Sequence, residues 1–437
     1  MDFTPDDKKI LVTNSEENRL LIIDIVSNDK ASGPKVLADI QLEGEPTSVA
    51  VHPNPAENYA LVTTLHPVSA TLYSGKACVV DLATNTVTKS VYVGVNPDSI
   101  KISPNGKYAV VANEAEYDVD PDIVGTVSIL SLSGGKSNIS VAKDVNLAGD
   151  PLLAAVPGID LKKVEPEFVA ITPDSEYALV TVQEHSLVLV IRLDGANSRL
   201  AQVVQLPSNT EPDGIAISPD GTIAVTANEE AQSISILDLS DMSNVVLKNS
   251  PDIMQFLPSD TNAAMYKRKS NQVDPEGVDM LFFNNRNYAV LALEDGASVL
   301  MLDVTDPDNV TKVSHVLTTG TDKKGRPEGI KVSHNSRLIA VANEIDGAIE
   351  GSVAFIRVNP EAVSTMSFEA VDSQYGTMTT RSADAEITDS SSAATAMATG
   401  YKIDNSELGL LPDGTSIPTI LELAEIKGLA TGVITTT

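Results

Sequence analysis

For most of its length the chain alternates short apolar runs with polar turns, at the period of two that half-buried strands require. Ile215 to Ser218, Ile223 to Ala227, Ser233 to Leu237 and Asn244 to Leu247 are four such runs in succession, and Pro219-Asp220-Gly221 between the first two reads as a hairpin turn. The same phrase recurs. A unit opening on Pro-(Glu/Asp)-Gly or a close variant starts at Pro46, Pro97, Pro166, Pro212, Pro275 and Pro327. Met1-Asp2-Phe3-Thr4-Pro5 aligns with Ile215-Ala216-Ile217-Ser218-Pro219, which puts Met1 inside a strand and makes a seventh unit cut at its start. Seven four-stranded units predict a mainly β fold, a seven-bladed β-propeller over residues 1–372, with Ile215 to Ser218 and its equivalents lining the axis. The unit spacing of 46 to 69 residues exceeds that of WD40 repeats, and the chain has no Trp to form their signature.

A propeller gathers two sets of loops at one end of its channel: those entering each innermost strand and those leaving each second strand. Glu167, Asp213, Glu276 and Glu328 stand in the entering loops. Asn14, Asn113, Asn228 and Asn343 each fall nine residues after Pro5, Pro104, Pro219 and His334, and Glu114, Glu229 and Glu344 directly follow three of them. Hard oxygen ligands around a pore suit calcium or magnesium, so Glu114, Glu229 and Glu344 are candidates for a cation ring. The competing reading is that the repeat alone sets these carboxylates, as solvated or mutually hydrogen-bonded loop residues.

Past the last unit, whose outer strands read as Val353 to Val358 and Ser364 to Ala370, the pattern changes after a junction at Asp372 to Gly376. Thr388-Asp389-Ser390-Ser391-Ser392-Ala393-Ala394-Thr395-Ala396-Met397-Ala398-Thr399-Gly400 puts hydroxyls at the start of a helix of small residues that Gly400 stops. The free N–H groups of a first helical turn suit a phosphate oxygen or a developing alkoxide. By pattern alone the run also reads as a small-residue helix with a Thr or Asp cap. Pro418 to Ala424 continues as an amphipathic helix stopped at Gly428, and Ala430 to Thr437 reads as a buried strand.

The stretch from about Ser382 to Thr437 resembles the alkaline phosphatase family, through T-D-S-S-S-A-A-T-A-M-A-T-G, then L-P-D-G, P-T-I-L-E-L-A and G-L-A-T-G-V-I-T-T-T. The resemblance implies a partial α/β alkaline-phosphatase-like segment over residues 373–437 and a phosphomonoester substrate. It makes Ser390 the residue that is phosphorylated and then hydrolysed, with Asp389 as its supporting neighbour. Ser391 and Ser392 follow where the family usually has Ala. Zinc and magnesium are implied as well, and here the chain departs from the family. Its first metal aspartate, in an Asp-Gly-x-Gly turn, would fall near Ala340, inside the repeats. Asp295-Gly296 and Asp346-Gly347 are the nearest Asp-Gly pairs and read as turns. The family's threonine, arginine and later Asp/His ligands would fall beyond Thr437. The chain is therefore expected to be inactive alone, with the propeller inserted into a phosphatase domain rather than simply fused to it. Val164-Glu165-Pro166-Glu167, Gly325-Arg326-Pro327-Glu328-Gly329 and Val341-Ala342-Asn343-Glu344 are similar to bacterial surface propellers called choice-of-anchor I proteins, which implies a fold, a periplasmic, secreted or cell-surface location, and little chemistry.

Charge narrows the partners. A net charge of -30 repels the phosphate backbone of nucleic acid and suits divalent cations, so calcium on the propeller is an expectation and nucleic acid is not. Cys78 stands alone, which removes an intrachain disulfide and any cysteine-built zinc site. The five histidines are scattered without metal-ligand spacing, and no apolar run is long enough to cross a membrane. Three functions remain: a metal-dependent phosphomonoesterase, a non-enzymatic acidic propeller that binds a ligand, partner or cation, and a propeller hydrolase of the lactonase or calcium-phytase kind.

Overall fold

Each repeat folds as one antiparallel sheet whose strands pair in chain order, in a computed structural model that describes residues 1–25, 34–67, 73–115, 122–257, 272–318, 325–344 and 351–358, with Leu411 and Thr415. Blade 1 is β1 to β4 (Asp2–Phe3, Lys9–Asn14, Arg19–Asp24, Lys35–Gln41) and blade 2 is β5 to β8 (Glu45–Val51, Tyr59–Pro67, Tyr73–Asp81, Thr86–Val95). Blade 3 is β9 to β12 (Pro97–Ile102, Tyr108–Asn113, Thr126–Ser131, Ser140–Asn146) and blade 4 is β13 to β16 (Pro166–Ile171, Tyr177–Val182, Leu187–Arg192, Arg199–Gln205). Blade 5 is β17 to β20 (Pro212–Ile217, Ile223–Asn228, Ser233–Asp238, Val246–Asn249) and blade 6 is β21 to β24 (Pro275–Phe283, Arg286–Leu293, Ser298–Asp303, Thr311–Leu317). Blade 7 contributes β25 to β27 (Pro327–Val332, Leu338–Asn343, Ser352–Arg357). The fold is the seven-bladed β-propeller that the repeat predicts.

The sequence of each strand follows from its place. Second and third strands are covered on both faces by neighbouring blades, so β14 (Tyr-Ala-Leu-Val-Thr-Val) and β15 (Leu-Val-Leu-Val-Ile-Arg) read as nearly unbroken apolar runs. Outer strands such as β12 and β16 meet solvent and mix polar with apolar positions. The apolar core is divided into seven clusters, each wedged between two adjacent blades. The last wedge joins Phe3, Ile10 and Val12 of blade 1 to Ala340 of blade 7 and closes the ring.

The innermost strands begin earlier than their apolar pattern suggests. Blade 5 starts its first strand at Pro212 rather than Ile215, because the register slips between those two residues. The same slip follows Pro46, Pro166, Pro275 and Pro327. Proline has no N–H to give a ladder, so the first residue of a strand beside a bulge is a place that tolerates it. The glycine of the motif has a steric cause as well. A Cβ on Gly214 would stand 2.5 Å from the Glu276 carbonyl oxygen, and one on Gly277 would run into that of Glu328.

By compactness the chain divides into Met1–Ser364 and Thr365–Thr437. The expected outer strand at Ser364 to Ala370, the expected junction at Asp372, the expected α/β segment and both Ser390 and Asp389 lie outside the described residues. Ala340, where the phosphatase resemblance would seek a metal aspartate, is a fully buried residue of β26. Among the described residues no helix is long and apolar enough to cross a membrane.

Candidate functional site

Register brings two tiers of carboxylates to one mouth of the axial channel. Asn113, Asn228 and Asn343 pair with Pro97, Pro212 and Pro327, so the glutamate after each Asn and the acid after each Pro lie at the same end of a blade. The inner tier is Asp98, Glu167, Asp213, Glu276 and Glu328, the second residues of β9, β13, β17, β21 and β25. Blade 2 has Thr47 at this position, and its hydroxyl donates instead to the carbonyl of Pro97 at 2.5 Å.

The inner acids resist ionisation. Burial first, then Asp98, Glu114 and Asp213, holds Glu167 well above the ordinary carboxylate range. Asp213 is held there by burial, Asp98 and Glu328. Burial pushes Asp98 to about 6, while burial with Asp213 and Glu328 takes Glu276 to about 9. Glu328 rises to about 7 through burial and the neighbouring Glu344, although channel water still reaches its side chain. Protein surrounds these groups while the mouth wets them, and mutual repulsion adds to desolvation.

The three sequence-derived candidates form the outer tier, each with its own partner. Glu114 accepts a hydrogen bond from Asn96 Nδ2 at 2.6 Å, and Glu229 accepts one from Gln183 Nε2 at 3.0 Å. Glu344 lies 3.6 Å from an Arg326 guanidinium nitrogen and against Glu328. Arg326 also pairs with Glu294. Glu294, Asp295 and Asp274 bring one carboxylate oxygen each within 4.8 Å of the others, an arrangement whose donors could hold a hard cation. Asp274 accepts a hydrogen bond from Gln232 Nε2 at 2.9 Å, so this cluster already has a donor and, in Arg326, a countercharge.

Further along the bore the chemistry reverses. A cavity of about 170 Å³ is lined by Lys101, Lys331, Asp279, Phe168 and aliphatic residues of five innermost strands. Lys331 Nζ stands 3.2 Å from Asp279 Oδ2, which also accepts the Val332 N–H across the blade boundary at 2.8 Å. Burial alone would lower the Lys331 pKa, but Asp279 and Asp2 outweigh it and the net shift is upward. Lys101 lies over the Phe168 ring, 5.1 Å from its centroid, and burial with Lys331 brings it down to about 8. Sequence reading missed this second set, because a single Lys or Asp at the fifth position of a strand looks like an ordinary polar alternation. Asp98 was missed as well, although Pro97-Asp98 carries the acid in the same place as Pro166-Glu167.

Comparison with known proteins divides along the same chain. The choice-of-anchor I domain family matches residues 1–209 and the alkaline phosphatase family matches residues 356–437. Alkaline phosphatase 3 of Bacillus subtilis (strain 168) is 44% identical over 120 residues, 26% of this chain and 24% of that protein. The chain thus spans about a quarter of the length of the curated relative it matches. Among solved structures, hydrazine synthase of Kuenenia stuttgartiensis superposes with a TM-score of 0.56 at 17% identity, covering 82% of this chain and 94% of that one. The periplasmic gluconolactonase of Pseudomonas aeruginosa gives 0.56 at 15% identity, covering 80% and 99%. At such identities the likeness is one of fold. The protein carries a choice-of-anchor I-like stretch within a seven-bladed propeller, followed by an alkaline-phosphatase-like stretch.

Proposed function

We propose that the whole protein hydrolyses phosphomonoesters in the alkaline phosphatase manner, with the propeller as a ligand-binding or surface-attachment domain. The observation that carries this reading is the alkaline phosphatase match over residues 356–437, which spans the Thr388-Asp389-Ser390 motif, and the 44% identity to a curated alkaline phosphatase supports it. In this reading Ser390 Oγ attacks phosphorus, the P–O bond to the alcohol breaks, and the alcohol leaves with a proton. Water then cleaves the phosphoserine and releases phosphate. Asp389 supports the serine. Zinc and magnesium rest on the resemblance alone; Ala340 offers no ligand where the first would be sought, and no step here is routed through them. The choice-of-anchor I match supports a secreted, periplasmic or surface location.

The test is phosphate release from an aryl phosphate at alkaline pH by the full-length protein, with zinc and magnesium supplied. Ser390→Ala should remove nearly all of it. Full activity in that variant sinks the assignment.

A further inference from the structure

Two lysines line the cavity in the bore, and the protein pairs only one of them. Each stands four places after its unit's opening proline, where register sets Lys101 opposite Val110 and Lys331 opposite Ala340. On the strands beside Lys331 the same place holds Asp279 and, across the seam, Asp2, opposite Val290 and Leu11. On the strands beside Lys101 it holds Ala50 and Ala170, opposite Leu61 and Leu179. Lys331 therefore stands between two acids and Lys101 between two methyl groups.

Neither acid is left over for Lys101. Asp279 takes Lys331 Nζ at 3.2 Å and accepts the N–H groups of Val332 at 2.8 Å and Met280 at 2.9 Å. Asp2 accepts the N–H of Val51 at 2.8 Å and that of Phe3 at 3.1 Å. Among the described residues Lys101 forms no ion pair, and its ammonium rests over the Phe168 ring, 5.1 Å from the centroid. Water alone can satisfy a half-buried lysine, so the missing partner by itself decides nothing. The cavity of about 170 Å³ is the second observation. It brings Lys101 and Phe168 to the same space as Ile171, Ile217 and Val278, and the small side chains of Ala170 and Ala216 leave that space open.

We propose that this cavity binds a small monocarboxylate with an apolar body, its carboxylate on the Lys101 ammonium and its body against Phe168, Ile171 and Ile217. One negative charge matches one unpaired ammonium. A phosphate dianion fits less well, because Asp279 is among the lining residues and the aliphatic wall offers no donors to further oxygens. A charge-assisted contact between apolar walls is stronger than the same contact in water. The inference gives the ligand-binding role proposed for the propeller a chemical class. It does not depend on the chemistry at Ser390, and its test does not read phosphate release.

Calorimetry of the whole chain with sodium benzoate tests the proposal, with benzamide and inorganic phosphate as comparison probes. Benzoate should bind saturably, and the neutral amide and the phosphate about tenfold more weakly or worse. Lys101→Met nearly keeps the length of the side chain while removing its charge, and should weaken benzoate about tenfold or more. Lys8→Met, at an exposed position, should leave it within about twofold. The probe series needs no variant, so it decides even where Lys101→Met folds poorly. Absence of saturable benzoate binding at millimolar concentration overturns the proposal. So does benzamide or phosphate binding as tightly as benzoate, or benzoate binding unchanged in folded Lys101→Met.

Discussion

Asp7 holds His334 across 327 positions of chain: one carboxylate oxygen lies 2.8 Å from His334 Nδ1 and accepts its backbone N–H at 2.9 Å, while the other takes the N–H of Asn335 at 2.9 Å. This is the seam between blade 7 and blade 1. An equivalent clip joins blades 3 and 4, where Ser175 Oγ accepts the N–H of Asn105 at 3.0 Å, and Asp7 and Ser175 both have the positive φ of the turn's last position. Asp7→Ala leaves two backbone donors without their acceptor and should cost about 1–2 kcal/mol. Thermal denaturation measures it, and an unchanged melting temperature would show that the apolar wedge closes the ring unaided.

Crowding at the innermost strands gives a paired prediction. Gly277→Ala drives a methyl into the Glu328 carbonyl, and neither backbone can retreat without moving a blade, so a loss of about 2 kcal/mol or more is expected in urea denaturation. At Gly329 the nearest atom to an added Cβ is Ala342 Cβ at 3.5 Å, which is ordinary contact. Gly329→Ala should be neutral or stabilise by about 0.5 kcal/mol. Equal effects at the two glycines would remove the steric account of the motif.

Stability should depend on pH in the sense opposite to that of a salt-bridged protein. Ring acids whose folded pKa values are raised (Asp98 to about 6, Glu328 to about 7, Glu276 to about 9) bind more protons folded than unfolded between roughly pH 4 and 9. Stability therefore falls as pH rises through that window and is recovered on acidification. Asp81 and Asp238, whose carboxylates are lowered by hydrogen bonds and by Lys136 and Lys248, pull the other way only at the acid end. The melting temperature should climb from pH 9 to pH 6. A profile that rises with pH over this range would mean the ring is not repelled in solution.

How much of this could be read from sequence depends on what the repeat exposes. Seven units, the hairpin at Pro219-Asp220-Gly221 and the apolar second and third strands follow from spacing and alternation, and the propeller shows all of them. The start of β17 does not follow, because a bulge breaks the alternation between Pro212 and Ile215. Glu114, Glu229 and Glu344 stood out because they repeat. What repetition could not reveal is that Asn96, Gln183 and Arg326 partner them, since those residues share no motif. Asp98 and Glu167 both follow a unit's opening proline, and the structure places both second in an innermost strand.

The seven wedges of core have a consequence for how this molecule can change. Oil is stored between the spokes, and the polar hub residues Asp98, Lys101, Asp279 and Lys331 belong to none of the seven wedges, so the wedge from Val225 to Leu300 is sealed without them. Substituting these polar residues rewires the bore without opening an apolar wedge, whereas the motif glycines and the aliphatic bore positions carry packing. A mount of this kind can keep its shape while its central cargo is exchanged.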